Sequence, residues 1–107
     1  MMHAKYFYEK AEIFWQQQDY INAMSRIYYS VLHSACDSLL IMKNINIKIQ
    51  HRTVHDLYTK YFTNITIDTL RFWQRVRENV DYERRENLQK YDKHYLEPIY
   101  LEMKYFI

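Results

Sequence analysis

Arg77 and Asp81 are the two residues of this chain whose types and spacing most directly suggest chemistry. They lie in the segment RENVDY at 77–82, and residues four apart are neighbours on a helix. Arg77 also falls within an apolar stripe of the same helix, where a charged group is costly unless it is paired or used. The sequence therefore predicts a partner for Arg77, which is Asp81, another helix, a second subunit or a phosphate. The stripe consists of Leu70, Trp73, Val76 and Val80.

Arg26 and His33 are a second pair of ionisable residues, with six residues between them. A histidine exchanges protons near neutral pH, and a guanidinium stabilises charge on a phosphate. On a helix the two are about 10.5 Å apart along the axis, so we expect them to line a groove without touching. Both pairs also have a structural interpretation. Arg77 and Asp81 could form an ion pair, and Arg26 and His33, together with Tyr29, could form a hydrogen-bonded polar seam between helices.

A short basic segment is the predicted RNA-binding group. It contains Lys43, Lys48, His51 and Arg52, and no acidic residue lies among them. Such cationic side chains contact nucleic-acid phosphates, although the net charge of +2 is too small to indicate such a partner alone. His51 and His55 are four apart, but a metal site needs more than two ligands. We therefore expect no metal and no other cofactor.

The composition limits the classes of protein. With 107 residues the chain is expected to form one domain, residues 1–107. No apolar run approaches the roughly 20 residues needed to cross a bilayer, and no charged-then-apolar leader is evident. Together with the single cysteine, Cys36, these features predict a cytoplasmic protein without membrane contact. The lack of glycine and the single proline favour helices over tight hairpins.

The apolar residues recur at intervals of three and four, which predicts an all-α fold, an up-and-down bundle of four or five helices. The predicted helices cover about 3–18, 20–43, 53–62, 67–82 and 85–106, with an extended loop at 44–52. Asp19 and Thr66 are of N-cap type, and Thr53 followed by Asp56 has the form of a capping box. Pro98 is expected to kink or split the last helix near Leu96.

The two longest helices have the clearest predicted cores. For the second helix these residues are Ile21, Met24, Tyr28, Val31, Leu32, Ala35, Leu39 and Met42. For the last helix they are Leu88, Tyr91, Tyr95, Ile99, Met103 and Phe106.

Three segments in order resemble the HEPN domain superfamily, particularly its small single-domain prokaryotic members. Residues 23–35, AMSRIYYSVLHSA, are similar to that family's A-x-S-R-x-Y-Y helix. Residues 51–54, HRTV, are similar to its Thr-His-x-x-Val loop, with Gln50 in place of the usual threonine. The RENVDY segment is similar to its R-x-x-x-D-Y signature. The resemblance spans about residues 4–105.

This resemblance implies a HEPN-like helical bundle that often forms a homodimer. It implies a toxin or defence module that acts on RNA as a metal-independent endoribonuclease, paired with a small MNT nucleotidyltransferase-like antitoxin. Arg77 would hold the phosphate, and Asp81 and Tyr82 would orient it or the proton donor. The family's usual catalytic histidine, separated from the arginine by four to six residues, is absent here because residues 82–84 are YER. His33 is then the expected acid–base group, with Arg26 at the matching spacing.

Two other functions fit the same residues. The first is a non-catalytic HEPN module that binds a nucleotidyltransferase-like protein or a nucleotide, which the missing histidine favours. In related toxin pairs the antitoxin can adenylylate a tyrosine near the signature, so the resemblance makes Tyr82 a candidate acceptor. The second is a structural helical subunit of a larger assembly.

Overall fold

The chain folds into five α-helices in a computed structural model, which describes residues 2–86 and 91–107. The helices are α1 (Met2–Gln16), α2 (Tyr20–Lys43), α3 (His51–Tyr61), α4 (Ile67–Arg85) and α5 (Lys93–Phe106). These described ranges contain no strand. The all-α class that the apolar periodicity predicts is confirmed.

Helix α2 is the centre of the bundle, because it contacts each of the other four helices. Its predicted span of 20–43 is confirmed. The hydroxyl of Ser30, which is fully buried, donates a hydrogen bond to the Ala4 carbonyl of α1 at 2.6 Å. A helix surrounded in this way needs small or apolar side chains on several faces. Its buried residues are Ala23, Met24, Ser25, Ile27, Tyr28, Ser30, Val31, Leu32, Ala35 and Leu39.

Two predicted N-caps are confirmed, and the capping box is wrong. Asp19 accepts a hydrogen bond from the backbone N–H of Asn22, and Thr66 accepts one from the N–H of Thr69. Helix α3, however, begins at His51 rather than after Thr53. Thr53 therefore lies within the first turn. The earlier start follows from contacts of α3 with distant residues, described below, which a local sequence pattern does not contain.

The prediction of one last helix from residue 85 is also wrong. Helix α4 continues to Arg85, and α5 begins only at Lys93, where Asp92 accepts a hydrogen bond from the N–H of Tyr95 at 3.0 Å. Pro98 lies inside α5 without splitting it. The predicted core residue Leu88 lies outside the described residues.

Most predicted core residues are buried, including the whole α4 stripe and, in α5, Ile99 and Met103. Two predictions are wrong: Met42 is 67% exposed and Tyr95 is 45% exposed. Both lie in a terminal turn, where the apolar periodicity continues but no neighbouring helix covers the side chain. The predicted core residues that are only partly buried are Ile21, Tyr91 and Phe106.

Replacing Asp19 with alanine should lower the free energy of unfolding by about 1 kcal/mol, because it removes the N-cap of α2. Urea denaturation measures this change. Asp19→Asn is the matched control, since its amide oxygen can still accept the hydrogen bond from Asn22. An equal loss in both variants would mean that the cap does not stabilise α2.

Candidate functional site

Three helices of the bundle each contribute a pair of polar side chains to one region, which we call the Tyr–His–Arg cluster. The pairs on α3 and α4 are each four residues apart, so each lies on one face of its helix. The pair on α2 is adjacent in sequence and points in two directions, with one tyrosine reaching α3 and the other α4. Helices α2, α3 and α4 all contact one another, which brings the pairs together. The members are Tyr28, Tyr29, His51, His55, Arg77 and Asp81.

Arg77 binds two of the partners that its position predicts. Its Nη2 donates a hydrogen bond to the Tyr29 hydroxyl on α2 at 3.0 Å, and lies 3.7 Å from Asp81 Oδ2. The side chain is only 18% exposed. Its Nε is buried and has no hydrogen-bond partner within the described ranges. Arg77 is therefore fixed in place while part of its hydrogen-bonding capacity is unused.

A surface cavity of about 410 Å³ opens over Arg77. Its lining contains three guanidinium groups and two carboxylates. Guanidinium groups bind phosphate oxygens through pairs of parallel N–H groups, so the cavity is suited to an anion rather than to an apolar ligand. The lining residues are Arg77, Glu78, Asp81, Arg84 and Arg85.

The Tyr28 hydroxyl joins two histidines of α3. It lies 2.9 Å from His51 Nδ1 and 3.0 Å from His55 Nε2. Tyr28 is fully buried, His55 is 1% exposed, and His51 is partly exposed. His51 is thus the one member of this trio that reaches the surface.

The surroundings of the trio keep all three groups neutral at pH 7. The pKa of His55 is lowered to about 4, chiefly by burial and also by the charges of His51 and Arg71, which Asp56 opposes. Burial and the charge of Arg77 also lower the pKa of His51 below its ordinary value, and Glu78 opposes them. Burial raises the pKa of Tyr28 well above the ordinary value.

The arrangement of protons in the trio follows from one unpaired nitrogen. A tyrosine hydroxyl has a single proton, so Tyr28 donates to one histidine and accepts from the other. His55 Nδ1 is buried without a partner within the described ranges, and an unpaired buried N–H is rarer than an unpaired acceptor. We therefore assign the His55 proton to Nε2, which donates to Tyr28. Tyr28 then donates to His51 Nδ1, and His51 carries its own proton on Nε2.

The predicted pair Arg26 and His33 lies against α1 and does not line the cavity over Arg77. The His33 ring stacks on Phe7 at 5.2 Å, and the Arg26 guanidinium lies 5.8 Å from the centre of the Phe14 ring. Phe7 also packs against Tyr29, so His33 shares this phenylalanine ring with a member of the Tyr–His–Arg cluster. Burial and the charge of His3 lower the pKa of His33.

The predicted RNA-binding residues do not share one environment. His51 points into the bundle through Nδ1, whereas Lys48 and Arg52 are exposed. Lys43 is also exposed, and its Nζ lies 5.8 Å from the Phe62 ring. Tyr82 is 54% exposed and does not line the cavity over Arg77.

The sequence pattern assigns no role in a site to Tyr28, Arg84 or Arg85. It groups Tyr29 with Arg26 and His33 rather than with Arg77, and it considers His55 only as a metal ligand. The available signal was the spacing of four between His51 and His55. Their shared partner, Tyr28, is 23 residues from the first and 27 from the second, so no local pattern connects them.

Within residues 2–86 and 91–107, no three His, Cys, Asp or Glu side chains are grouped so that they could hold a metal ion. The helices of these ranges are also too short or too polar to cross a membrane. Comparison of the chain with protein-family models, curated proteins and solved structures finds no match.

Burial of His55 should make the stability of the protein depend on pH. Its pKa is about 4 in the folded chain and about 6.5 in the unfolded chain. The unfolded chain therefore binds this proton more readily, so stability is complete above about pH 6.5 and is lost as the pH falls toward 4. We expect the free energy of unfolding, measured in urea, to fall by about 2 kcal/mol between pH 7 and pH 5.

The control for this prediction compares how steeply the free energy of unfolding changes with pH in each variant, rather than its absolute value. His55→Gln should remove most of the pH dependence, leaving the smaller contributions of His33 and His51, whose pKa values are also lowered. His94→Gln, on the surface of α5, should leave the dependence unchanged. The same slope in His55→Gln as in the wild type would contradict the assignment.

Proposed function

We propose that this chain is a HEPN-type toxin or defence module that binds RNA at the cavity over Arg77 and cleaves it without a metal ion, as a homodimer. The observation that carries the proposal is the fixed, partly buried guanidinium of Arg77 at a concave surface with two further arginines. The three sequence segments that resemble the HEPN superfamily support the same proposal, because Tyr28, Tyr29, His51, Arg77 and Asp81 all come from them.

Arg77 is the proposed phosphate-binding residue. Its bond to Tyr29 restricts the side chain before any ligand binds, which lowers the entropy lost on binding. Arg84 and Arg85 add positive charge at the rim. A preorganised guanidinium of this kind stabilises the negative charge that grows on the phosphate oxygens during cleavage.

The proposed reaction is an internal transfer at phosphorus. The RNA 2′-hydroxyl attacks the adjacent phosphate, and its proton passes to the Asp81 carboxylate, which lines the cavity 3.7 Å from Arg77. The bond from phosphorus to the 5′-oxygen breaks, and that oxygen leaves with a proton from water. The hydroxide formed from that water removes the proton from Asp81 and restores its carboxylate. The products are a 2′,3′-cyclic phosphate and a 5′-hydroxyl, and no metal or cofactor is consumed.

Arg77→Ala should reduce RNA cleavage in EDTA by about 100-fold or more, because it removes the group that stabilises the charged transition state. Gel analysis of end-labelled RNA, with chemical identification of the cyclic phosphate, measures this loss. Arg75→Ala is the matched control, since Arg75 is exposed on the same helix and does not line the cavity.

Three further variants sharpen the test. Arg77→Lys keeps the charge but not the two-pronged geometry, so we expect partial activity. Asp81→Asn removes the proton acceptor and should be inactive. His33→Ala should retain activity, because His33 does not line the cavity over Arg77. Wild-type protein that cleaves no RNA at any concentration would overturn the ribonuclease proposal.

A second candidate function is a target module for a nucleotidyltransferase-like partner. The exposed ring of Tyr82, one residue beyond Asp81, favours it, because an acceptor hydroxyl must be reachable. On this proposal the partner and ATP add one adenylate to wild-type protein, measured by intact mass. Tyr82→Phe should gain none, whereas Tyr105→Phe, which removes another exposed hydroxyl, should be modified normally. An unchanged mass for the wild type would count against this function.

A further inference from the structure

We propose that Tyr28 and His55 hold His51 as a neutral imidazole whose only ring proton lies on Nε2, and that this N–H donates a hydrogen bond to the RNA phosphate at Arg77. The inference rests on the proposed function, since it assigns a second phosphate-binding residue to the same site. His51 touches the ligand, whereas Tyr28 and His55 are positioning residues.

His51 can bind a ligand through only one of its two ring nitrogens. Its Nδ1 is occupied by the Tyr28 hydroxyl at 2.9 Å, so Nε2 is the ring nitrogen left for another partner. His51 is partly exposed, while Tyr28 and His55 are buried. A ligand at the surface can therefore reach this trio only through His51.

His51 lies within the electrostatic reach of the anion cavity, although it is not part of the cavity lining. The charges of Arg77 and Glu78, which both line the cavity, act on the His51 ring, and helices α3 and α4 contact each other. His51 is also the first residue of α3, and the side chain of the N-cap residue Gln50 makes no capping hydrogen bond. The positive end of the helix dipole therefore lies at His51 and favours an anion there.

The hydrogen bonds among Tyr28, His51 and His55 oppose the addition of a second proton to His51. A second proton on His51 would have to go to Nδ1, which accepts from Tyr28. Tyr28 would then have to donate to His55 Nε2, and the His55 proton would move to Nδ1, where the described residues offer no partner. Each of these changes is costly in a buried site, so the neutral form with a proton on Nε2 is kept.

The groups that surround His51 agree with this state. Tyr28 faces it from α2, His55 from the next turn of α3, and Arg77 and Glu78 from α4. Arg77 disfavours a charged His51, and the single carboxylate, Glu78, opposes it only in part. A histidine held in the neutral form donates to phosphate with the same single ring proton as the pH falls. A histidine of ordinary pKa instead gains a second ring proton near pH 6.5.

The test combines a spectrum with a binding measurement. The probe is a 2′-deoxy oligonucleotide, which has phosphates but no attacking hydroxyl, so binding is measured without cleavage. Long-range ¹H–¹⁵N NMR spectra of the histidine rings report which nitrogen is protonated. For the wild type we expect the Nε2 proton on His51 at pH 7 and an affinity that does not rise as the pH falls through the ordinary pKa of histidine, about 6.5.

Tyr28→Phe keeps the ring but removes the hydroxyl that holds His51. We expect the pKa of His51 to rise toward its ordinary value, so that the variant binds the oligonucleotide more tightly as the pH falls, unlike the wild type. Tyr61→Phe, at the exposed end of α3, is the matched control and should behave as the wild type does.

A pair of surface substitutions keeps the test independent of folding. His51→Ala should weaken binding about tenfold, the worth of one hydrogen bond to a charged group. His51→Gln should restore most of the affinity, because its amide N–H can occupy the place of Nε2–H. These variants do not remove a buried hydroxyl, so they remain informative if Tyr28→Phe fails to fold.

The outcomes separate the inference from the proposed function. A His51 proton on Nδ1, or a charged His51 at pH 7, would overturn the inference. So would unchanged binding in His51→Ala by a protein that still cleaves RNA, and the proposed function would then stand. Wild-type protein that neither binds the oligonucleotide nor cleaves RNA would overturn both the proposed function and the phosphate contact of His51.

Discussion

The hydroxyl of Tyr28 is the point on which the candidate site depends. It lies inside the bundle on the central helix, and it bonds two histidines of α3 with its one proton and its lone pairs. Because a hydroxyl without partners would be costly at this depth, the register of α3 against α2 is constrained. That register places His51 where the charge of Arg77 acts on its ring, and it sets the start of α3 two residues before its strongest local capping signal.

Arg77 is held by contacts with a second tyrosine of α2 and with an aspartate of its own helix. Tyr29, the neighbour of Tyr28 on α2, accepts a hydrogen bond from its guanidinium, while Asp81 pairs with it along α4. Two adjacent tyrosines thus organise two different helices. Tyr28 positions the histidines of α3, and Tyr29 positions the arginine of α4, so one turn of α2 determines the geometry of the whole cluster.

Local patterns predicted most of the fold because they record helix faces and caps. The span of α2, the apolar stripe of α4 and the caps Asp19 and Thr66 follow from neighbours a few residues away. The start of α3 and the exposed side chain of Met42 depend on which other helix lies opposite, and no local spacing contains that information. The residues of the candidate site also fall into those that a local spacing indicates and those that only the packing of helices reveals. Arg77 and Asp81 stood out by their spacing, whereas Tyr28 became visible only when α2 and α3 were placed together.

The dual position of Tyr28 has an evolutionary consequence. It is a fully buried core residue and also the hydrogen-bond partner of a surface histidine. Phenylalanine would fill the same volume, yet it would leave two histidine nitrogens without their partner. Under the proposed function, selection for stability and selection for activity therefore act on a single oxygen atom. Descendants that retain the bundle but abandon the proposed activity should be free to replace this tyrosine only when His51 and His55 change with it.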